Sequence, residues 1–202
     1  MKVIHLISGG DTGGAKTHVH SLLQGLSRHI QADMVCFMDG PFTQEARALG
    51  ISVQVISHRN PLRTLRQLKE MVASEGYDII HCHGSRGNMM GAMLGRATGL
   101  PVVTTVHSDY HLDYMGRPLS RLTYGTINTI ALRRIPYHIG VSDGVASMVN
   151  SRSRVSPPTS SLGEATCSVA VTSTMYPSSS CPLAMSWSRR PEALSTYWHT
   201  FS

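Results

Sequence analysis

No apolar run in this 202-residue chain approaches the ~20 residues that a membrane-spanning helix needs. The first apolar stretch, Lys2 to Ile7, is short and lacks the small-residue cleavage flank of a secretory signal, so the sequence reads as cytoplasmic. Cysteine is scarce too. Cys36, Cys82, Cys167 and Cys181 are widely spaced with no C-x-x-C pair, which argues against a disulfide framework or a zinc ribbon and makes reduced thiols the default. A block of basic charge is also missing: residues 1 to 150 carry 14 Lys+Arg against 10 Asp+Glu, scattered along the chain. A nucleic-acid footprint would concentrate them in a dense stripe, so no nucleic-acid partner is expected.

What is present is an alternation of strands and helices. Lys2–Ile7, Ala32–Met38, Ser52–Ile56, Tyr77–Cys82, Pro101–His107 and Tyr137–Val141 read as strands. Ala15–Ser27 places Val19, Leu22, Leu23 and Leu26 at helical spacing on one inner face. Phe42–Leu49 is a short helix ended by Gly50. Asn60 can cap and Pro61 can open a helix through Ala73, with Leu62, Leu65, Leu68 and Val72 inside and Arg63, Arg66 and Lys69 outside. Arg86–Thr98 is a helix stopped by Gly99, a further helix lies within Gly116–Ile135, and a last one follows Ser142 and Asp143. The fourth and fifth strands are apolar throughout rather than alternating, as strands covered on both faces are. The expected fold is therefore α/β, a Rossmann-like doubly wound parallel sheet of five or six β–α units in one domain over residues 1–150.

After about residue 150 the composition shifts. Residues 151–202 hold 14 Ser, 6 Thr and 5 Pro, no Lys and no Asp, and no apolar period. Such a segment cannot bury enough to form a second core, so it reads as a disordered or irregular tail. We read it as a chain that has left its natural reading frame; a genuine Ser/Thr-rich tail is the alternative.

Two features carry chemistry. The first strand-to-helix turn, Ser8-Gly9-Gly10-Asp11-Thr12-Gly13-Gly14-Ala15-Lys16-Thr17, brings glycines to a helix N-terminus, where backbone N–H groups and the helix dipole favour an anion. It matches neither G-x-G-x-x-G nor the nucleotide loop G-x-x-x-x-G-K-[ST], because Ala15 stands before Lys16-Thr17. A tight turn that only packs helix on sheet is the plainer reading. The second feature is histidine: of eleven, His81, His83 and His107 fall at or near the carboxyl ends of strands four and five, the edge where open α/β sheets bind ligands. His81 reads as buried on its strand, and His83 as the start of a loop His83-Gly84-Ser85-Arg86-Gly87. A metal site with His107 or His111 is conceivable, but with no convergent Asp/Glu pair no metal is assigned, and hydrogen bonding or acid/base contact to a polar substrate fits neutral imidazoles better.

Taken in order, the Gly-Gly-x-x-Gly-Gly-Ala turn, the strand Asp78-Ile79-Ile80-His81-Cys82-His83, the strand Val102–His107 ending in Thr-Val-His, and Gly140-Val141-Ser142-Asp143-Gly144-Val145 resemble the amino-terminal half of family 4 glycosyltransferases. The likeness spans about residues 1–150. It implies a retaining enzyme of the two-domain GT-B architecture that moves a hexose from a nucleotide-sugar donor, a co-substrate rather than a cofactor, to a glycan or lipid-linked acceptor. It implies that Gly13, Gly14, Ala15 and Lys16 face the donor diphosphate and that His107 is catalytic, beside the transferred sugar. His83, Ser85, Arg86, Asp109 and Ser142 would line the acceptor side. The family's second domain carries an E-x7-E motif, and here only Glu164 and Glu192 follow residue 150, 28 apart. The chain therefore reads as an acceptor-binding half, with that second domain as its natural docking partner and little activity alone. A non-catalytic α/β module binding a phosphorylated ligand or a protein through the same turn is the runner-up, and a P-loop-like hydrolase is improbable. The basic residues Arg63, Arg66, Lys69, Arg117, Arg121, Arg133 and Arg134 allow peripheral contact with the inner face of the cell membrane, against the plainer reading of a solvated helix face.

Overall fold

The computed structural model describes residues 1–10, 13–107, 126–140, 145, 167–170 and 197. In chain order the elements are β1 (Lys2–Ile7), α1 (Gly13–Leu26), β2 (Gln31–Cys36), α2 (Pro41–Ala48), β3 (Ser52–Val55), α3 (Pro61–Glu75), β4 (Ile79–His83), α4 (Gly84–Thr98), β5 (Val102–Val106), α5 (Thr126–Arg134), β6 (Tyr137–Gly140) and β7 (Cys167–Ala170). Every pairing is parallel and the spatial order is β3-β2-β1-β4-β5-β6-β7. The order reverses between β1 and β4. That reversal opens a crevice at the carboxyl ends of these two strands, because the connections leave them toward opposite faces.

Side-chain alternation sorts the core into two layers. Ile4 and Leu6 of β1 with Ile80 and Cys82 of β4 face α3 and α4, where Leu68, Met71, Val72, Met90 and Leu94 close over them. The opposite face carries Ile7, Met34 and Cys36 under Val19 and Leu23 of α1 and Phe42 and Ala46 of α2, continuing to Val3, Leu26, Ile79 and Val103. Each fully buried Leu, Ile or Phe contributes ~1.5–3 kcal/mol relative to an exposed one. β1 and β4 are buried on both faces, which explains why neither shows the apolar–polar alternation of a half-exposed strand.

α4 lies close on the sheet because of a stripe of small residues. A Cβ on Gly87 would sit 2.4 Å from the Leu6 carbonyl oxygen, on Gly91 2.0 Å from Cys82 Sγ, and on Gly95 2.2 Å from a Val102 methyl. Spaced four apart, these glycines form one helix face. Asn88, on the same helix, is buried in a polar chain: Thr104 Oγ1 donates to Asn88 Oδ1 at 2.6 Å, and Asn88 Nδ2 donates to Asn128 Oδ1 at 2.9 Å. It ties α4 to β5 and α5 without an orphaned group.

The amino-terminal end of the sheet is held by charge. Lys2 Nζ lies 2.6 Å from Glu75 and 3.5 Å from Asp33, over the Tyr77 ring, while the Tyr77 hydroxyl donates to Asp33 Oδ2 at 2.9 Å.

The helix starts follow the sequence signals. Asn60 Oδ1 accepts from Leu62 N–H at 2.9 Å, Pro61 opens α3, and Gly76 and Gly99 end α3 and α4 in the left-handed conformation. Leu62 is a correction: it stands 67% exposed, and the buried stripe is Thr64, Leu68, Met71 and Val72, with Leu65 half-buried. At the first turn of α3 its side chain lies beyond the rim of the core. Arg63, Arg66 and Lys69 are exposed as expected, and Arg66 pairs with Glu70 one turn on. Arg133 and Arg134 are exposed in the last turn of α5, whereas Arg117 and Arg121 lie outside the described residues. The helix expected after Ser142 and Asp143 also lies outside them, apart from Val145, which is helical. Of residues 151–202, Cys167–Ala170 add β7 beside β6, and Tyr197 is fully buried; no sequence period marks either.

Candidate functional site at the reversal of strand order

Beneath the reversal point, the β1–β4 pair buries a row of histidines on one face of the sheet. His5 of β1 and His81 of β4 are directly paired in register, and His83 lies two residues further along β4 on the same face. On β5 the same face carries Thr105 and, just past the strand end, His107. The rings form a row, with centroids 4.7 Å apart from His5 to His81, 4.5 Å from His81 to His83 and 5.7 Å from His83 to His107. His18 of α1 meets His107 edge-on at 5.0 Å.

Nearly every buried ring nitrogen in the row has a partner. His81 Nε2 lies 2.7 Å from Thr105 Oγ1, and its Nδ1 2.6 Å from the Tyr197 hydroxyl. His83 Nε2 lies 3.1 Å from His5 Nδ1, and His83 Nδ1 3.4 Å from His107 Nε2. His5 Nε2 is buried without a partner.

Burial keeps these rings uncharged. It pushes His5 down to about 3 and His107 to about 4, and holds His81 and His83 well below 6.5, where neighbouring imidazoles add to the effect. At neutral pH each ring therefore offers one N–H and one lone pair. His5, His81 and His83 each offer a ring nitrogen within 4.8 Å of the others, the reach of a metal site. Apart from His5 Nε2, two hydroxyls and two imidazole pairs already engage those nitrogens, so a divalent ion would have to displace existing hydrogen bonds.

The glycine turn flanks the row. Gly9 takes φ +89°, and a Cβ there would lie 2.4 Å from the Met38 carbonyl oxygen, so only glycine lets the chain leave β1 beside the end of β2. Asp11 and Thr12 lie outside the described residues. Gly13, Gly14, Ala15 and Lys16 form the first turn of α1 rather than a loop, and the N–H groups of a first turn have no partner within their own helix. A Cβ on exposed Gly14 would meet nothing within 4 Å among the described residues. Lys16 Nζ lies 2.7 Å from Glu45 Oε2 on α2.

On the other side, Gly84 begins α4 immediately after β4, so His83-Gly84-Ser85-Arg86-Gly87 is a strand-to-helix junction and not a loop. His83 is accordingly buried and engaged on both nitrogens, while Ser85 and Arg86 occupy the first turn of α4, half-buried. The Arg86 guanidinium lies over the Phe37 ring at 5.2 Å and reaches the His58 carbonyl at 3.5 Å, joining the ends of β2, β3 and β4. Asp109, His111 and Ser142 lie outside the described residues. The strand pattern alone does not single out His5; the available signal is a polar residue inside an otherwise apolar strand.

Known proteins extend this picture. The sequence profile described as Glycosyltransferase Family 4 matches residues 12–160. EpsF of Bacillus subtilis, named as a glycosyltransferase, is 28% identical over 108 residues, covering 50% of this chain and 28% of its own. An Escherichia coli UDP-Gal:α-D-GlcNAc-diphosphoundecaprenol α-1,3-galactosyltransferase is 26% identical over 114 residues, 53% of this chain and 29% of its own. The chain thus spans well under half the length of these relatives. In fold it is similar to Anabaena HepE in complex with UDP, at a TM-score of 0.62 and 18% identity, over 75% of this chain and 41% of that one. It is also similar to a Staphylococcus aureus MnaA–UDP structure, at a TM-score of 0.60 and 13% identity, over 77% and 42%. With its parallel α/β sheet and a profile match across most of its length, the chain belongs to Glycosyltransferase Family 4.

Proposed function

We propose that this chain is the acceptor-side half of a retaining hexosyltransferase that uses a nucleotide-sugar donor. The carrying observation is that α1, the end of β5 and the β4–α4 junction converge on His107: His18 of α1 meets its ring at 5.0 Å, and His83, immediately before α4, lies 3.4 Å from its Nε2. Backbone N–H groups at the α1 N-terminus would stabilise negative charge on the departing diphosphate. His107 would lie beside the transferred sugar, and Ser85 and Arg86, with Asp109 and Ser142, would line the acceptor side. UDP in the Anabaena complex and the diphosphoundecaprenol acceptor in the E. coli relative's name favour a UDP-sugar and a lipid-linked acceptor. Lys16 would reach the diphosphate only on leaving Glu45.

On this reading residues 1–150 supply most of the folded domain, with Cys167–Ala170 and Tyr197 packed onto it; the family's second domain is its docking partner, and this half by itself does little chemistry, since transfer needs both walls of the cleft. Among the described residues no helix is long and apolar enough to cross a membrane, and membrane contact through the basic helix faces stays a proposal.

The test is titration of the purified chain with UDP and with an undecaprenyl-diphosphate glycan, each followed by backbone amide NMR shifts. UDP-induced shifts confined to Gly13–Lys16 and the surroundings of His107 support the donor edge. Binding of inorganic phosphate alone with no response to UDP or acceptor would favour the non-catalytic module. Transfer from a UDP-sugar by the chain alone would overturn the inactivity.

A further inference from the structure

We infer that His5 and His83 are positioning residues that fix His107 as the Nδ1–H tautomer, so that His107 meets its ligand as a hydrogen-bond donor and not as a base. The argument is a count of protons along the row. His5 Nδ1 faces His83 Nε2 at 3.1 Å, and His83 Nδ1 faces His107 Nε2 at 3.4 Å. Each contact needs one N–H and one lone pair, and each neutral ring has one of each. Only two self-consistent arrangements exist. In the first, His5 Nδ1–H donates to His83 Nε2, and His83 Nδ1–H donates to His107 Nε2, leaving the His107 proton on Nδ1. In the second every bond is reversed, and His5 must carry its proton on Nε2.

His5 decides between them. Its Nε2 is buried and unpartnered. The reversed arrangement would bury an N–H with nothing to accept it, whereas the first leaves only a bare lone pair there, the lesser defect. The choice made at the sheet's centre is thus passed through His83 to the partly exposed ring at the sheet's edge. His81 is bound separately, between Thr105 and Tyr197, and does not interrupt the chain. With Nε2 occupied and Nδ1 protonated, His107 has no lone pair with which to take a proton from an acceptor hydroxyl. It can donate to a sugar hydroxyl or phosphate oxygen, a role that rests on the function proposed above.

Imidazole nitrogen NMR on the uniformly labelled 202-residue chain at neutral pH reads the tautomer of each ring directly. The expected result is Nδ1–H for His5, His83 and His107. A His107 signal of the Nε2–H type in the wild-type chain overturns the inference and needs no variant. In a His83→Phe chain that retains the backbone spectrum, loss of the Nδ1–H pattern at His107 supports the relay, and its persistence overturns it. Zinc chloride is the counter-test: stoichiometric displacement of the His5, His81 and His83 nitrogen signals would assign the cluster to a metal and overturn the relay. None of these readouts uses a nucleotide, so a chain with the expected tautomers that ignores UDP retains the relay and removes only the donor-site proposal.

Discussion

His5 Nδ1 and His83 Nε2 lie 3.1 Å apart although 78 residues separate them in sequence, because β1 and β4 are neighbours at the reversal of strand order. Burying imidazoles there makes stability depend on pH. His5, His81, His83 and His107 have folded-state values below the ordinary 6.5, so between those values and 6.5 the unfolded chain binds more protons than the folded one. Stability is fully present above about pH 6.5 and falls as pH drops toward the folded values, by ~1.4 kcal/mol per pH unit for each ring. Urea midpoints should fall steeply from pH 7 to pH 5, and His5→Phe should flatten that slope. An unchanged slope would show that His5 already carries its proton in the fold.

The glycines of the two site helices should separate packing from binding. Gly87→Ala forces a Cβ against the Leu6 carbonyl, and overpacking of this kind costs about 1–3 kcal/mol, read as a lower urea midpoint. Gly14→Ala meets no atom within 4 Å among the described residues and replaces a poor helix former. It should leave the midpoint equal or higher while weakening UDP binding by crowding the α1 N-terminus. Equal UDP affinity in the two chains would place the donor elsewhere.

Glu45 holds Lys16, the cation of the proposed donor edge. Glu45→Gln frees Lys16 from its ion pair and should tighten UDP binding severalfold at low salt, with little change in stability because the pair is exposed. Lys16→Ala should weaken binding and lose the salt dependence. If neither variant alters UDP affinity, Lys16 belongs to the packing of α1 on α2 alone.

The Asn88 chain should behave as a unit. Asn88→Leu removes the acceptor of Thr104 and the donor to Asn128, leaving buried groups that cost about 1–3 kcal/mol each when orphaned. A double-mutant cycle of Asn88→Leu with Asn128→Leu should show strong coupling in denaturant midpoints, since the second change removes a group already orphaned by the first. Additive losses would mean that the pair does not act together.

Much of this was legible in advance for a local reason. Strand periods, Asn60-Pro61, Gly50 and Gly99 act over a few residues, and they place most elements to within about two positions. Leu62 departs from the inner face because helical spacing assigns a face but not the rim at which neighbouring elements stop. Gly84, Ser85 and Gly87 look like turn residues, so local pattern alone takes His83 into a loop. Contact with β1 makes them a helix instead: Gly87 is small to clear the Leu6 carbonyl, which no local pattern reveals.

By itself the sequence determined the parallel α/β class, the position of the glycine turn after the first strand and the family, since these rest on short-range periodicity and on the ordered series of motifs. Only the tertiary structure decided that His5 joins His83 and His107, that Lys16 is held by Glu45, and that Cys167–Ala170 extends the sheet. Those pairings depend on strand order and register, which bring distant residues together through cooperative burial and carry no signature in the residues near each partner.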